Sequence, residues 1–343
     1  MLTLYVDNDR WHAHLRSVVE AVPGIVPVTK GNGYGFGNRR LAVVAEQLGT
    51  DTLAVGTYAE LGDVVDTFTG SVLVLSPWRS FEPVEHGPHV VHTVGRLADL
   101  AGVAAGAPEP PRVVLELMTS MRRHGFSARD LRAARQHLDG VSVEGFALHL
   151  PMSHTSHLSE MHRLMNDLVA SGIPTRRVYV SHLSDAEFAV LRASYGDFEL
   201  RPRIGTRLWL GDRDALQVRS TILDCHEVER GDTFGYRGRS APRHGHIVVV
   251  SGGTAHGIGL EAPTGGATLR DRAATIAKGG LDAAGFVRSP FTISGKHRLF
   301  GEPPHMQVSM LFVPDGDTIP PVGSEVDVRV RFTTTYVDRT VFS

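Results

Sequence analysis

The chain is poor in cysteine, in long apolar runs and in net charge, and each shortage removes a class of protein. Cys225 stands alone, so no intramolecular disulfide can form, and a reducing, cytoplasmic setting is the expectation. No apolar run approaches the roughly 20 residues that a membrane helix needs. Nor does the chain open with a basic and then apolar segment of the kind that directs secretion. The formal net charge of -2 offers no basic field to draw in nucleic acid, so a small molecule is the expected partner. His149, His154, His157, His162 and His256 match no strong zinc spacing, and no metal is expected. What the chain does have is 42% hydrophobic residues over 343 positions, enough for a real core. That length suits a barrel of roughly 200 to 250 residues with a modest second domain.

Local patterns fill in this outline. Leu2, Leu4 and Val6 alternate with other residues and meet Asp7-Asn8-Asp9, a short strand running into a helix cap. Trp11, Leu15, Val18, Val19 and Val22 then share one helical face, and Pro23-Gly24 stops that helix. The beat repeats. Residues 52–55, 72–75, 89–92, 112–117, 143–149, 177–182 and 198–204 read as strands, with helix-like stretches such as 39–48 and 128–138 between them. Strand and helix alternating about eight times predicts an α/β fold of the (β/α)8 (TIM) barrel type, although a doubly wound sheet gives the same local pattern. After Gly211-Asp212 the texture changes. Residues 218–228, 246–250, 306–313 and 326–332 are strand-like and separated by glycine and proline, which predicts a barrel over 1–212 and an all-β domain over 213–343.

The stretch from Val28 to Gly37 (VTKGNGYGFG) has a lysine at the end of a short apolar run, followed at once by glycines and a tyrosine. If residues 25–28 form a buried strand, Lys30 emerges at its carboxyl end, where barrels and open α/β sheets place their chemistry. The bare backbone of Gly31, Gly33, Gly35 and Gly37 would let a planar or anionic ligand approach closely. A glycine-rich loop carrying an incidental lysine fits the spacing equally well. The segment also resembles the cofactor-lysine motif of the alanine racemase family, fold type III, with Lys30, Asn32, Tyr34, Gly35 and Gly37 matching and Phe36 in place of a histidine. The resemblance implies pyridoxal 5′-phosphate held by Lys30 as a Schiff base, with Tyr34 at the phosphate. It also implies a barrel followed by a β-domain.

Further segments carry the resemblance along the chain. Met121-Arg122-Arg123-His124-Gly125 is similar to the family's Met-Gly-Arg-Leu-Gly, which assigns Arg123 to the cofactor's phenolic oxygen. Glu116 stands where many relatives carry a carboxylated lysine, and would supply that negative charge directly. His149 resembles a histidine packed near the cofactor, and Ser184 resembles a phosphate ligand in a shortened loop. Arg203-Ile204-Gly205-Thr206 resembles the run in which the arginine faces the pyridine nitrogen and the following amides bind phosphate. Tyr336 resembles a late phosphate-binding tyrosine. Guanidinium keeps its proton at any accessible pH, so Arg203 would donate a hydrogen bond without yielding a proton, which suits racemisation better than decarboxylation.

The main departure lies in the β-domain. The family's Gly-Tyr-Ala-Asp-Gly, whose tyrosine acts across a dimer interface, corresponds here to Gly253-Thr254-Ala255-His256-Gly257. Threonine is far less acidic than a phenol with its ordinary pKa of about 10, so the second base must be a substitute such as His256, or the reaction must be one-sided. The resemblance therefore implies a homodimeric racemase acting on an amino acid. An aldolase, dehydratase or decarboxylase in which Lys30 alone moves protons stays open, as does a cofactor-binding protein without turnover. The family's carboxylate-binding loop has become Pro303-Pro304-His305-Met306-Gln307, which leaves the substrate's identity open. Lys278 and Lys296 fall in the predicted β-domain, away from the cofactor motif.

Overall fold

The computed structural model describes residues 1–81, 87–105, 107–152, 155–260 and 287–343. His154 and Lys278 lie outside them. Strand β1 (Leu2–Val6) and helix α1 (Asn8–Ala21) come first. A ring of parallel strands follows: β2 (Val26–Pro27), β3 (Thr52–Val55), β4 (Ser71–Pro77), β5 (Val90–Val94), β6 (Arg112–Leu117), β7 (Ser142–His149), β8 (Arg177–Ser181) and β9 (Glu199–Ile204). Neighbours pair in sequence order from β3 to β9, and β9 returns to β2 through Val26↔Arg203 and Pro27↔Ile204. The ring closes where Val28 bridges Ala54 and the Thr29 N–H donates to the Ala54 carbonyl at 2.8 Å. Helices α2 (Asn38–Gln47), α3 (Leu61–Val64), α4 (Leu97–Ala104), α5 (Ala128–Ala134), α6 (Leu158–Ser171), α7 (Asp185–Ser194) and α8 (Thr206–Leu210) follow the strands in turn, except that no helix lies between β4 and β5 among the described residues. This is the (β/α)8 barrel expected from the alternation.

Because side chains alternate across a strand, each barrel strand serves two cores. Val113, Leu115 and Leu117 of β6 point outward and pack in one cluster with Leu131 of α5 and Met161 and Leu164 of α6. Val114 points inward and joins Val26, Ala54, Leu73, Val91, Ala147 and Tyr179 in the lumen. The same alternation sets Glu116 on the lumen side of β6, and Arg201 and Arg203 on the lumen side of β9. Arg201 lies towards the amino ends of the strands, paired with Asp51 and with its guanidinium 5.9 Å from the centre of the Tyr179 ring. Arg203 and Glu116 lie towards the carboxyl ends of their strands.

The remaining strands are β10 (Leu216–Val228), β11 (Thr233–Phe234), β12 (Arg239–Ser240), β13 (Gly245–Ser251), β14 (Arg288–Ile293), β15 (Lys296–Phe300), β16 (Val308–Pro314), β17 (Glu325–Val328) and β18 (Arg339–Phe342). They build a mostly antiparallel sheet in the order β13-β16-β15-β14-β17-β10-β1-β18. The long β10 also pairs with β13, bringing the sheet round on itself, and the β11–β12 pair stands apart. This is the all-β domain expected towards the C-terminus.

One boundary is corrected. The chain divides into two compact units, residues 12–211 and residues 1–11 with 212–343, so the first strand does not open the barrel. β1 runs antiparallel to β10, with Leu4 opposite Val218, and parallel to β18, with Leu4 opposite Thr340. The Leu2 N–H donates to Asp338 Oδ2 at 2.6 Å and the Tyr5 hydroxyl to Glu325 Oε2 at 2.8 Å. A strand followed by a helix looks the same whichever sheet receives the strand, and only pairing across more than two hundred residues decides it.

Leu4 is fully buried in this sheet. Leu4→Ala is expected to cost about 2–5 kcal/mol and to speed hydrogen exchange at the β10 amides around Val218. Faster exchange confined to the barrel strands would contradict the placement of β1.

Candidate active site

The carboxyl ends of β2, β6, β7 and β9 gather a group of cationic and polar side chains in the barrel unit. Lys30 follows β2, whose exit is fixed from several sides. The Val28 N–H donates to the Ile204 carbonyl at 2.9 Å, and the indole N–H of Trp209 donates to the Val28 carbonyl at 2.8 Å. Beyond the lysine, the Gly31 N–H donates to Glu60 Oε1 at 2.8 Å, while Glu60 Oε2 accepts from the Gly56 N–H at 2.6 Å. Glu60 thus ties the lysine loop to the loop after β3. Lys30 as a residue is open to solvent. Its amine nevertheless sits deep enough for desolvation to be the main influence, and Arg123 and Arg203 add to it, so its pKa lies below the ordinary lysine value against the opposing pull of Glu60.

Tyr34 is buried and holds a left-handed backbone conformation (φ 55°) that a bulky residue rarely adopts. Its phenol shares a hydrogen bond with Thr206, but burial dominates and pushes its pKa up to about 12. Gly205 sits directly against this ring, and any Cβ there would overlap the phenol oxygen. The neutral hydroxyl, the Thr206 side chain and the bare Gly205 backbone therefore meet at one place.

Arg203, at the end of β9, is buried and donates to the Leu148 carbonyl at 3.0 Å. Burial pulls its pKa down to about 10, with Glu116 opposing, so it remains a cation at neutral pH. Glu116 is only 3% exposed, and its Oε2 has no hydrogen-bond partner among the described residues. Burial raises its pKa, and Arg203, Arg123 and Arg79 hold the rise back. Arg123 lies at the tip of a turn in which the Phe126 N–H returns to the Glu116 carbonyl at 2.7 Å. The tip is exposed, yet its charge acts on Lys30, Glu116, His149 and Arg203.

His149 closes β7. Its Nδ1 shares a 2.6 Å hydrogen bond with Ser181 Oγ, and its ring meets His182 edge-on at 5.2 Å. Burial, then Arg203 and Arg123, drive its pKa down to about 3, so the ring is neutral in any ordinary buffer. Ser184 caps α7, accepting from the Glu187 N–H at 3.3 Å and donating to Glu187 Oε2 at 2.8 Å, so its hydroxyl is already committed. Glu60 and Ser181 carry no signal in the sequence that marks them as site residues, while His182 opens the shortened loop that contains Ser184. Thr57 lies three residues before Glu60, a helix-start spacing readable in sequence, but nothing local signals that the carboxylate reaches back to Gly31.

His256 and Tyr336 belong to the other unit. His256 is buried, its Nδ1 accepts from the Gly253 N–H at 3.2 Å and its Nε2 meets Asp338 Oδ1 at 3.0 Å. Both ring nitrogens of His256, the residue offered as a substitute second base, are engaged in bracing the loop. Tyr336 is 60% exposed, and its N–H donates to the His256 carbonyl at 3.3 Å. Among the described residues no cluster of side chains could hold a metal ion.

The description Alanine racemase, N-terminal domain, matches residues 6–203. An alanine racemase of Leptothrix cholodnii is 29% identical over 317 residues, 81% of either chain. Among solved structures, alanine racemase from Bartonella henselae with covalently bound pyridoxal phosphate aligns with a TM-score of 0.73 at 16% identity, covering 100% of this chain and 99% of that one. A histidine racemase from Leuconostoc mesenteroides aligns over 100% and 98% with a TM-score of 0.70, also at 16% identity. With its barrel strands, its lysine loop and its cationic mouth all inside the matched segment, the chain belongs to the alanine racemase N-terminal domain family.

Proposed function

We propose that this chain is a pyridoxal 5′-phosphate-dependent racemase of a free amino acid, with Lys30 as the residue that carries the cofactor and moves the proton at Cα. The observation that carries the reading is the lysine's setting. Its pKa is lowered by desolvation and then by the charges of Arg123 and Arg203, so a larger fraction is neutral and nucleophilic near pH 7 than an ordinary lysine would provide. The rest of the mouth fits the same group. Tyr34, Thr206 and the bare Gly205 suit a phosphate, and the excess of Lys30, Arg123 and Arg203 over Glu60 and Glu116 suits a polyanion.

When bound, the cofactor supplies an aldehyde that captures amines and a conjugated ring that draws electrons from the substrate's Cα. The protein's groups do the rest. Arg203, protonated up to about pH 10, can donate to a ring nitrogen without surrendering a proton. Glu116 supplies a buried carboxylate whose charge opposes those of Arg203 and Arg123. Tyr34 stays a neutral donor, and neutral His149, bonded to Ser181, adds no charge to a site already rich in cations. Ser184, spent on its helix cap, leaves the proposed phosphate set. The active form in this reading is a homodimer in which the Thr254 loop of one copy completes the site of the other, and a fully active monomer would exclude it.

A second reading, one-sided chemistry at Cα, is favoured specifically by Thr254, which cannot act as the family's tyrosine does. The two separate cleanly in deuterated water with single amino acids. A racemase exchanges Cα–H with inversion, a one-sided enzyme exchanges without it, and Lys30→Ala abolishes exchange in either. Absence of exchange with every amino acid would sink both.

The depressed histidine also makes a pH statement. Folding holds His149 neutral, whereas in the unfolded chain the ring takes a proton below its ordinary value of 6.5. Between about pH 6.5 and pH 3 the unfolded state therefore binds the extra proton, and stability falls as pH drops through that window. His149→Asn is expected to flatten this part of the melting-temperature profile, and an unchanged slope would contradict a neutral, desolvated His149.

A further inference from the structure

Four non-glycine residues hold a left-handed backbone among the described residues, and three of them have an evident reason. Tyr34 and His182 belong to the mouth already described, and Ser294 turns the chain between β14 and β15. Arg122, at φ 52°, has none. Glycine takes this conformation freely, whereas a side chain adopts it at a cost, and residues that bear the cost collect at binding and catalytic sites. The loop that carries Arg122 is pinned along its length. The Met118 N–H donates to the Phe126 carbonyl at 2.9 Å, the Arg122 N–H to the Thr119 carbonyl at 3.0 Å, and the Thr119 hydroxyl to the His149 carbonyl at 2.6 Å. Ser120 is fastened to α6, its N–H and its hydroxyl donating to Glu160 at 2.6 and 2.7 Å.

Between this loop and α6 lies a cavity of about 610 Å³ lined by Met118, Thr119, Ser120, Arg122 and Arg163, all within the barrel unit. A space of that size accommodates a small organic ligand. Its charges do not balance. Arg163 is offset by Asp167 at 3.3 Å and by Glu160 at 3.7 Å, whereas Arg122 makes no ion pair among the described residues. One guanidinium charge is therefore left over on the wall, at a position whose backbone disfavours any side chain. An anion held there accounts for both facts. The wall beside it is apolar, since Met118 is 36% exposed and the arginine stems are themselves hydrocarbon. The hydroxyls of Thr119 and Ser120 have already given their protons, so the cavity lacks the donors that the several oxygens of a phosphate would need. We infer that this cavity binds a small carboxylate with a short apolar tail, at a site separate from the lysine mouth. Arg122 takes the carboxylate through its forked N–H groups, Arg163 supports it, and Met118 meets the tail. No residue assigned to the racemase chemistry lines the cavity, so the site stands or falls apart from that reading.

Butyrate, inorganic phosphate and 1-butanol are the probes, titrated into the full chain labelled at its methionine methyl groups. Butyrate is expected to move the Met118 methyl signal, assigned by its loss in Met118→Leu, in a saturable way, while phosphate and butanol leave it in place. Arg122→Gly is the decisive variant, because it removes the charge and gives the backbone the residue that it favours. It should keep or raise the melting temperature and weaken butyrate at least about 10-fold. Should it not fold, Arg122→Gln carries the same expectation for butyrate. Binding of butyrate by these variants as tightly as by the wild type, or a Met118 signal that butyrate does not move, would overturn the inference. An equal response to butanol would make the cavity a merely apolar groove, and an equal response to phosphate a general oxyanion site, and either would overturn it too.

Discussion

A guanidinium group withdrawn from water tolerates its position only beside compensating charge, and at the mouth of this barrel that condition binds Arg203 to Glu116. Both lie on the lumen side of strands that run parallel in the same ring, both are buried, and neither is bonded to the other in a closed pair. Among the described residues one Glu116 oxygen has no partner, and Arg203 spends one N–H on a carbonyl. Such a half-satisfied buried pair is a weak source of stability but a strong source of field. The charges of Arg203 and Arg123 reach Lys30, His149 and His182. Desolvation first, and then these guanidinium groups, lower Lys30 and His149, while burial governs Tyr34. The chemistry proposed for Lys30 depends on its burial first and on that field second.

Much of the fold could be read from the chain because barrel strands are buried on both sides. Continuous apolar runs such as Leu53-Ala54-Val55 and Val113-Val114-Leu115 announce themselves without reference to partners. The β-unit was read less completely. Strands β14, β15 and β18 are short and carry no continuous apolar run that announces a strand, β15 opening on the charged Lys296-His297-Arg298. β1 reads as a strand, yet its local pattern assigns it to the barrel, since the partner that claims it, β10, lies more than two hundred residues away.

The candidate site divides along the same line. Lys30, Tyr34, Arg203, Gly205 and Thr206 sit in short motifs, and the barrel brings them together because strand ends converge there. Ser184 and His256 had suitable identities but are occupied, one capping α7 and the other bracing a loop through Asp338. No spacing could reveal those commitments. Arg122 reads as one more charge beside Arg123 until its left-handed backbone and the cavity beside it are seen.

The central claim is that the cationic mouth is built around Lys30 as the lysine that carries the cofactor. Reducing the protein as isolated with borohydride, followed by peptide mass mapping, tests it most directly. The account expects a reduced pyridoxyl adduct on Lys30 and on no other lysine. An adduct on Lys296 or Lys278 in place of Lys30 would contradict it.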